Sequence, residues 1–170
     1  MPDRDAMRPM WHCPRCGKPF ANRNSSHSCV RIPLDAHFVG RPRARQLFDA
    51  FLAAVNETSS EPVTVVVSKG RIELMTRARF AGAVVHRDYV RIGFWLKRGL
   101  DTDRFRVEFY PPNNWVFRLD LRQESQIDDE LRALLREARV VGDQRHPSQA
   151  RYRLRRVADV RSPRARGSDG

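Results

Sequence analysis

The apolar pattern of the chain predicts an α+β fold: an antiparallel sheet of five to six strands packed on two or three helices, preceded by a small cysteine-bearing module. Three observations carry that expectation. Apolar residues recur at helical spacing over 43–56, alternate with polar ones between 63 and 122, and return to the helical period over 127–138. The 170 residues suit one domain with an accessory module. Composition divides them into 1–30, which holds all three cysteines, 31–148, the expected α+β domain, and 149–170, a basic tail. Seven Gly, Pro, Ser or Asp residues between Tyr152 and Gly170 predict that the tail is disordered without a partner.

The elements follow in order. A short turn is expected over 34–38, then an amphipathic helix over 43–56 whose buried face is Leu47, Phe48, Phe51, Leu52 and Val55. After Pro62, Val63, Val65 and Val67 alternate with Thr64 and Ser68, and Lys69-Gly70 supplies a turn. Residues 71–80 read as one strand, with Ile72, Leu74, Ala78 and Phe80 inward and Arg71, Glu73, Arg77 and Arg79 outward. Residues 89–97 repeat the arrangement, Val90, Ile92, Phe94 and Leu96 inward and Arg91, Trp95 and Lys97 outward. Phe105, Val107 and Phe109 alternate with Arg106, Glu108 and Tyr110 before a turn at 111–114. A last strand turns Trp115, Phe117, Leu119 and Leu121 inward against Val116, Arg118, Asp120 and Arg122. One apolar and one polar face describe an antiparallel sheet covered on one side. The second helix is expected to start at Ser125, with Asp128 three residues on as in a capping box, to bury Ile127, Leu131, Leu134, Leu135 and Ala138, and to stop at Gly142.

The strongest chemical signal is Cys13-Pro14-Arg15-Cys16-Gly17 followed by His27-Ser28-Cys29. Two thiols two residues apart can grip one ion from a tight turn, and the second pair closes a tetrahedron, so Cys13, Cys16, His27 and Cys29 are expected to hold a structural Zn²⁺. His27 and Cys29 stand closer together than the usual second pair. A redox CxxC would sit at a helix start beside a sheet, which the flanking residues do not suggest, and a disulfide would leave one of three cysteines over. Trp11 and Phe20 are the expected apolar support, while Arg15, Lys18, Arg23 and Asn24 decorate the module. It could be a plain staple, contact nucleic acid or contact protein. No helix suited to a major groove is visible over 21–27.

Thirty-two Lys and Arg against 20 Asp and Glu give a formal charge of +12, distributed as +3 on 1–30, +4 on 31–150 and +5 on 151–170. Arg outnumbers Lys 29 to 3, which suits bidentate phosphate recognition but equally follows from a coding bias. On the expected outer sheet face, and beside it, Lys69, Arg71, Arg77, Arg79, Arg91, Trp95 and Lys97 are the candidate contacts to nucleic acid or another anion. The alternative is a solvated face whose Arg and Glu pairs set strand register. No nucleophile with its base and no phosphate-cradling glycine loop stands out, and His37, His86 and His146 are isolated. Asp128-Asp129-Glu130 suits the first turn of a helix. An enzyme is therefore not the favoured class. Without an apolar run of membrane length or a signal-peptide core, the expected setting is the cytoplasm, with no membrane contact.

Taken together, Trp11-x-Cys13-Pro14-x-Cys16-Gly17, His27-Ser28-Cys29, Phe80-Ala81-Gly82, Val90-Arg91-Ile92-Gly93-Phe94-Trp95-Leu96 and the Trp115 strand resemble bacterial proteins carrying the domain of unknown function family 5655. The likeness spans about residues 11–146 and implies a small α+β domain without an established reaction. The expected function is a zinc-stabilised binding module that contacts nucleic acid or another polyanion. Two other classes remain open: a small-anion site or unrecognised enzyme with a pocket near Lys69, Arg77 and Arg79, and a protein-interaction adaptor in which a second subunit covers Trp95.

Overall fold

The computed structural model of the chain describes residues 9–145; the expected tail, His146 and the first eight residues lie outside them. Strands β1 (Trp11–His12) and β2 (Pro19–Phe20) form a hairpin of their own, with Trp11 opposite Phe20. A 3-10 turn, Leu34–His37, leads into helix α1 (Pro42–Asn56). Six strands follow: β3 (Thr64–Val67), β4 (Ile72–Met75), β5 (Arg79–Val85), β6 (Val90–Leu96), β7 (Arg106–Tyr110) and β8 (Asn114–Leu121). A second 3-10 turn, Glu124–Gln126, precedes helix α2 (Asp129–Gly142). The architecture is α+β, as the apolar periods predict.

The six strands make one antiparallel sheet in the order β3-β4-β5-β6-β8-β7. Both helices lie on one face, α2 over β5 and β6 and α1 against β6 and α2. Beneath them the inward positions Ile72, Leu74, Ala81, Ile92, Phe94, Leu96, Phe117 and Leu121 are fully buried with Phe48, Phe51, Leu131 and Leu135. Each large side chain removed from water in this way contributes roughly 1.5–3 kcal/mol. Strand β7 lies beyond the helices, so Val107 and Phe109 stay exposed although they occupy inward register positions. Pro42 opens α1 at a position where a missing N–H costs nothing.

Three details depart from the expectation. First, residues 71–80 are two strands, not one. The chain turns at Thr76-Arg77-Ala78, and Ala78 donates its N–H to the Gly142 carbonyl at 2.9 Å, tying the turn to the end of α2. A bulge between Leu74 and Met75 restores the pairing, so that Leu74 faces Ala81. Second, α2 is capped by Asp128, whose carboxylate accepts from the Leu131 N–H at 2.9 Å; Ser125 lies in the preceding 3-10 turn, where Gln126 and Gln123 close the capping box. Third, Gly142 is the last residue of α2 without a left-handed backbone, and that conformation falls instead on Gln144, with φ 58. The reason for glycine is packing. A Cβ at 142 would lie 2.5 Å from Cδ1 of Phe80 and 2.8 Å from Oγ1 of Thr76.

Candidate metal centre and the outer sheet face

The metal module is built on the β1–β2 hairpin. Cys13 leaves β1 directly, its N–H donates to the Lys18 carbonyl at 3.0 Å, and Gly17 donates back to the Cys13 carbonyl at 2.7 Å. Gly17 sits at φ +71, the left-handed region that lets the chain curl around two sulfurs. The segment 27–29 returns the other two members of the cluster, His27 and Cys29. All four donor atoms of Cys13, Cys16, His27 and Cys29 lie within 4.8 Å of one another, close enough to hold a metal ion. Sγ of Cys13 is 3.8 Å from Sγ of Cys29, and Nε2 of His27 is 3.3 Å from Sγ of Cys16 and 3.5 Å from Sγ of Cys29.

The surroundings orient these donors. Nδ1 of His27 is 2.6 Å from the Ser25 carbonyl, and a carbonyl only accepts, so Nδ1 carries the proton and the Nε2 lone pair faces the sulfurs. The ring of His27 packs on Phe20, 4.4 Å between centroids, and Trp11 stands 6.4 Å away edge-on, which makes the expected aromatic support real. Burial pushes the Cys13 thiol up, but the amides of Arg15 and Cys16, with the Cys16 and His27 side chains, outweigh it and bring it down to about 6. The Ser25 carbonyl raises His27, and burial raises the Cys29 thiol. One thiol is thus already poised as a thiolate, the form that binds a metal. Two basic residues brace the module: Lys18 donates to the Ser28 carbonyl at 2.9 Å, and Arg31, which the sequence did not single out, donates to the Cys16 carbonyl at 2.8 Å.

The expected contact residues of the sheet are scattered over different environments. Lys69 is exposed in the β3–β4 turn, and Arg71 stands exposed just ahead of β4. Arg77 is not on the sheet face: it lies in the β4–β5 turn with its Nε buried. Lys97 donates to Oδ1 of Asn114 at 2.5 Å, and burial lowers its pKa. Arg79 pairs with Glu73 at 3.0 Å, Arg91 with Asp120 at 2.6 Å, and Arg118 with Glu108. Arg91 and Asp120 face each other across β6 and β8, which is the register-setting pairing the sequence offered as the alternative to an anion platform. Trp95 occupies an outer position of β6, half-buried, 6.0 Å from the ring of Tyr110.

A shallow depression of about 110 Å³ lies at the centre of this face. Its floor includes Gly82 and Gly93, which are direct cross-strand partners, and its walls include Arg71, Glu73, Arg79, Arg91, Trp95 and Arg118. Of the pocket expected near Lys69, Arg77 and Arg79, only Arg79 lines it. Gly82 and Gly93 entered the sequence reading only through the family resemblance and not as parts of a site, although one signal was present: Gly93 interrupts an otherwise alternating strand. No helix among the described residues is long and apolar enough to cross a membrane. No family model matches the chain, and no curated protein or solved structure was found to be similar to it.

Proposed function

We propose that the protein is a zinc-stabilised binding module that contacts nucleic acid through the basic surface of its metal module and the outer face of its sheet. The observation that carries this reading is a complete four-ligand cluster beneath a surface free of acids. Three thiolates and one imidazole are a zinc set, and at metal–ligand lengths of about 2.3 Å for sulfur and 2.0–2.1 Å for nitrogen the edges of a tetrahedron are about 3.8 and 3.5 Å. The separations of 3.8 and 3.5 Å fit those edges, and that of 3.3 Å is slightly short. Because the protein supplies all four ligands, the ion is structural and leaves no position for a substrate.

From residue 9 to 34 there is no Asp or Glu. Arg15 and Arg23 are exposed and their side chains make no hydrogen bond or ion pair among the described residues, which leaves their guanidinium groups available to phosphates. Many arginines of the α+β domain differ, since they are held by carboxylates: Arg45 by Asp35 and Asp49, Arg98 by Glu137, Arg104 by Asp128 and Glu130. The resemblance to family 5655 belongs to this reading through the cysteine cluster and the Gly93-Phe94-Trp95-Leu96 segment, and it adds no reaction. Three free thiols suit a reducing compartment, so the reading places the protein in the cytoplasm.

Two measurements test the proposal. Elemental analysis of the full chain purified without chelators should give close to one Zn²⁺ per chain, and none would overturn the zinc assignment. Anisotropy with labelled oligonucleotides across a salt series should show affinity that falls as salt rises, and Arg15→Ala with Arg23→Ala should reduce the slope by about 1.4 for a single strand, roughly 0.7 per phosphate contact. Absence of binding at about 50 mM salt would overturn the nucleic-acid reading.

A further inference from the structure

The central depression is lined by four arginines, of which three are held in ion pairs and Arg71, among the described residues, is not. Four of its wall residues are arginines, against one carboxylate, Glu73. Arg91 and Arg118 are held by Asp120 and Glu108, which do not line it, and Arg71 at the rim has no carboxylate partner among the described residues. With Arg79 held by Glu73 as well, Arg71 is the one wall arginine left uncompensated, beside a hollow that no described residue covers. Trp95 stands two residues along β6 from Gly93, hence on the same face and at the edge of the same hollow.

The two floor glycines have different causes. At Gly82 a Cβ would lie 2.8 Å from the Ile72 carbonyl oxygen, so the close approach of β4 requires glycine. At Gly93 the nearest atoms would be 3.6 and 3.8 Å away, ordinary contact distances, and the backbone is not left-handed. Glycine weakens the interior of a strand, and packing does not demand it here; what its absent side chain does is extend the bare peptide floor of the hollow.

We propose that this depression holds one unstacked base of a single-stranded nucleic acid. The base lies flat over the Gly82–Gly93 backbone against Trp95, its polar edge meets the Glu73–Arg79 pair, and the neighbouring phosphate reaches Arg71. A carboxylate beside a guanidinium offers one acceptor and several donors in one plane, which suits the edge of a heterocycle and not a bare anion. The hollow is shallow and about 110 Å³ in volume, room for a flat ring and not for a duplex groove. The inference rests on the nucleic-acid reading above and specifies where and in what form the strand is held.

The test uses the zinc-loaded full chain and a labelled single strand of about twelve nucleotides, within the roughly 4–16 that sheet platforms cover. The matching duplex and a free nucleoside monophosphate serve as comparisons. The single strand should bind more tightly than the duplex. Gly93→Val, which fills the floor, should weaken single-strand binding about tenfold, the effect of removing one stacked base, without changing the salt slope. Arg71→Ala should lower that slope by about 0.7. Gly93→Ala, whose Cβ meets only ordinary contacts, should show a smaller loss and serves if the valine variant does not fold. Wild-type affinity in a folded Gly93→Val or Gly93→Ala protein overturns the base slot. If Arg15→Ala with Arg23→Ala still weakens that binding, the nucleic-acid reading survives alone. Competition by the monophosphate without strand binding overturns the single-strand assignment, and binding of neither overturns both.

Discussion

Replacing Gly142 by alanine sets two effects of opposite sign against each other. Alanine in a helix is favoured over glycine by about 1 kcal/mol, so if Gly142 merely ended α2 the change would be neutral or stabilising. The new Cβ, however, would stand 2.5 Å from Cδ1 of Phe80 and 2.9 Å from its Cβ. Carbon atoms sit best about 3.5–4.0 Å apart, so the ring must retreat by about 1 Å. Phe80 is fully buried and has nowhere to go without displacing its neighbours. Overpacking costs about 1–3 kcal/mol, a clash at 2.5 Å with a fully buried ring falls in the upper part of that range at about 2–3 kcal/mol, and after the helix gain the net loss is about 1–2 kcal/mol. For a domain of this size that is a fall in Tm of roughly 3–10 °C, read by circular dichroism at fixed metal loading. Phe80→Leu in the same chain should recover part of the loss, because the two sites share one contact. An unchanged or raised Tm in Gly142→Ala would refute the packing explanation. Gln144→Gly, at the residue that is left-handed with φ 58, should instead raise Tm slightly.

Cys29→Ser should abolish metal binding and loosen residues 9–31, seen as lost amide protection there, while the α+β domain keeps its melting transition; unaltered stoichiometry would show that Cys29 is not a ligand. Arg91 holds the Asp120 carboxyl below its ordinary range, so its stabilising effect is complete above about pH 4 and fades as pH falls through the lower folded value. Asp120→Asn should therefore flatten the acid limb of the stability curve below about pH 4, and an unaltered limb would contradict the pairing. Arg139, 3% exposed, donates from Nη2 to the Glu61 carbonyl at 2.5 Å. Arg139→Met leaves that oxygen without its donor and should cost about 2–3 kcal/mol by chemical denaturation, with a loss below 0.5 kcal/mol counting against the bond.

Legibility followed the range of the interaction. The cluster Cys13, Cys16, His27 and Cys29 could be read directly because all four residues fall within 17 positions and their donor atoms converge within 4.8 Å of one another. Helix α1 and strand β6 were equally plain, since each carries a single buried face along its whole length, and β8 does so from Phe117 onward. Strand β5 was not. Its outward positions Gly82 and Val84 are not polar, so no alternation marks it, while Ile72, Leu74, Ala78 and Phe80 keep a period of two straight through the turn at 76–78. Asp128 displaced Ser125 as the cap because a further 3-10 turn intervenes, and Ile127, 8% exposed, has to enter the core before α2 can begin.

The sequence by itself determined the fold class, the cluster of Cys13, Cys16, His27 and Cys29 and most of the inward-facing side chains, because each of these depends on periods and spacings a few residues long. It did not contain the order of the strands, with β7 outside β8, nor the partners of the arginines. It also left hidden the reasons for glycine at 82, 93 and 142. Those were decided only when strands and helices distant in the chain came together, since an ion pair such as Arg91 with Asp120, or the space beside Phe80, is a distance between segments and leaves no period in either one.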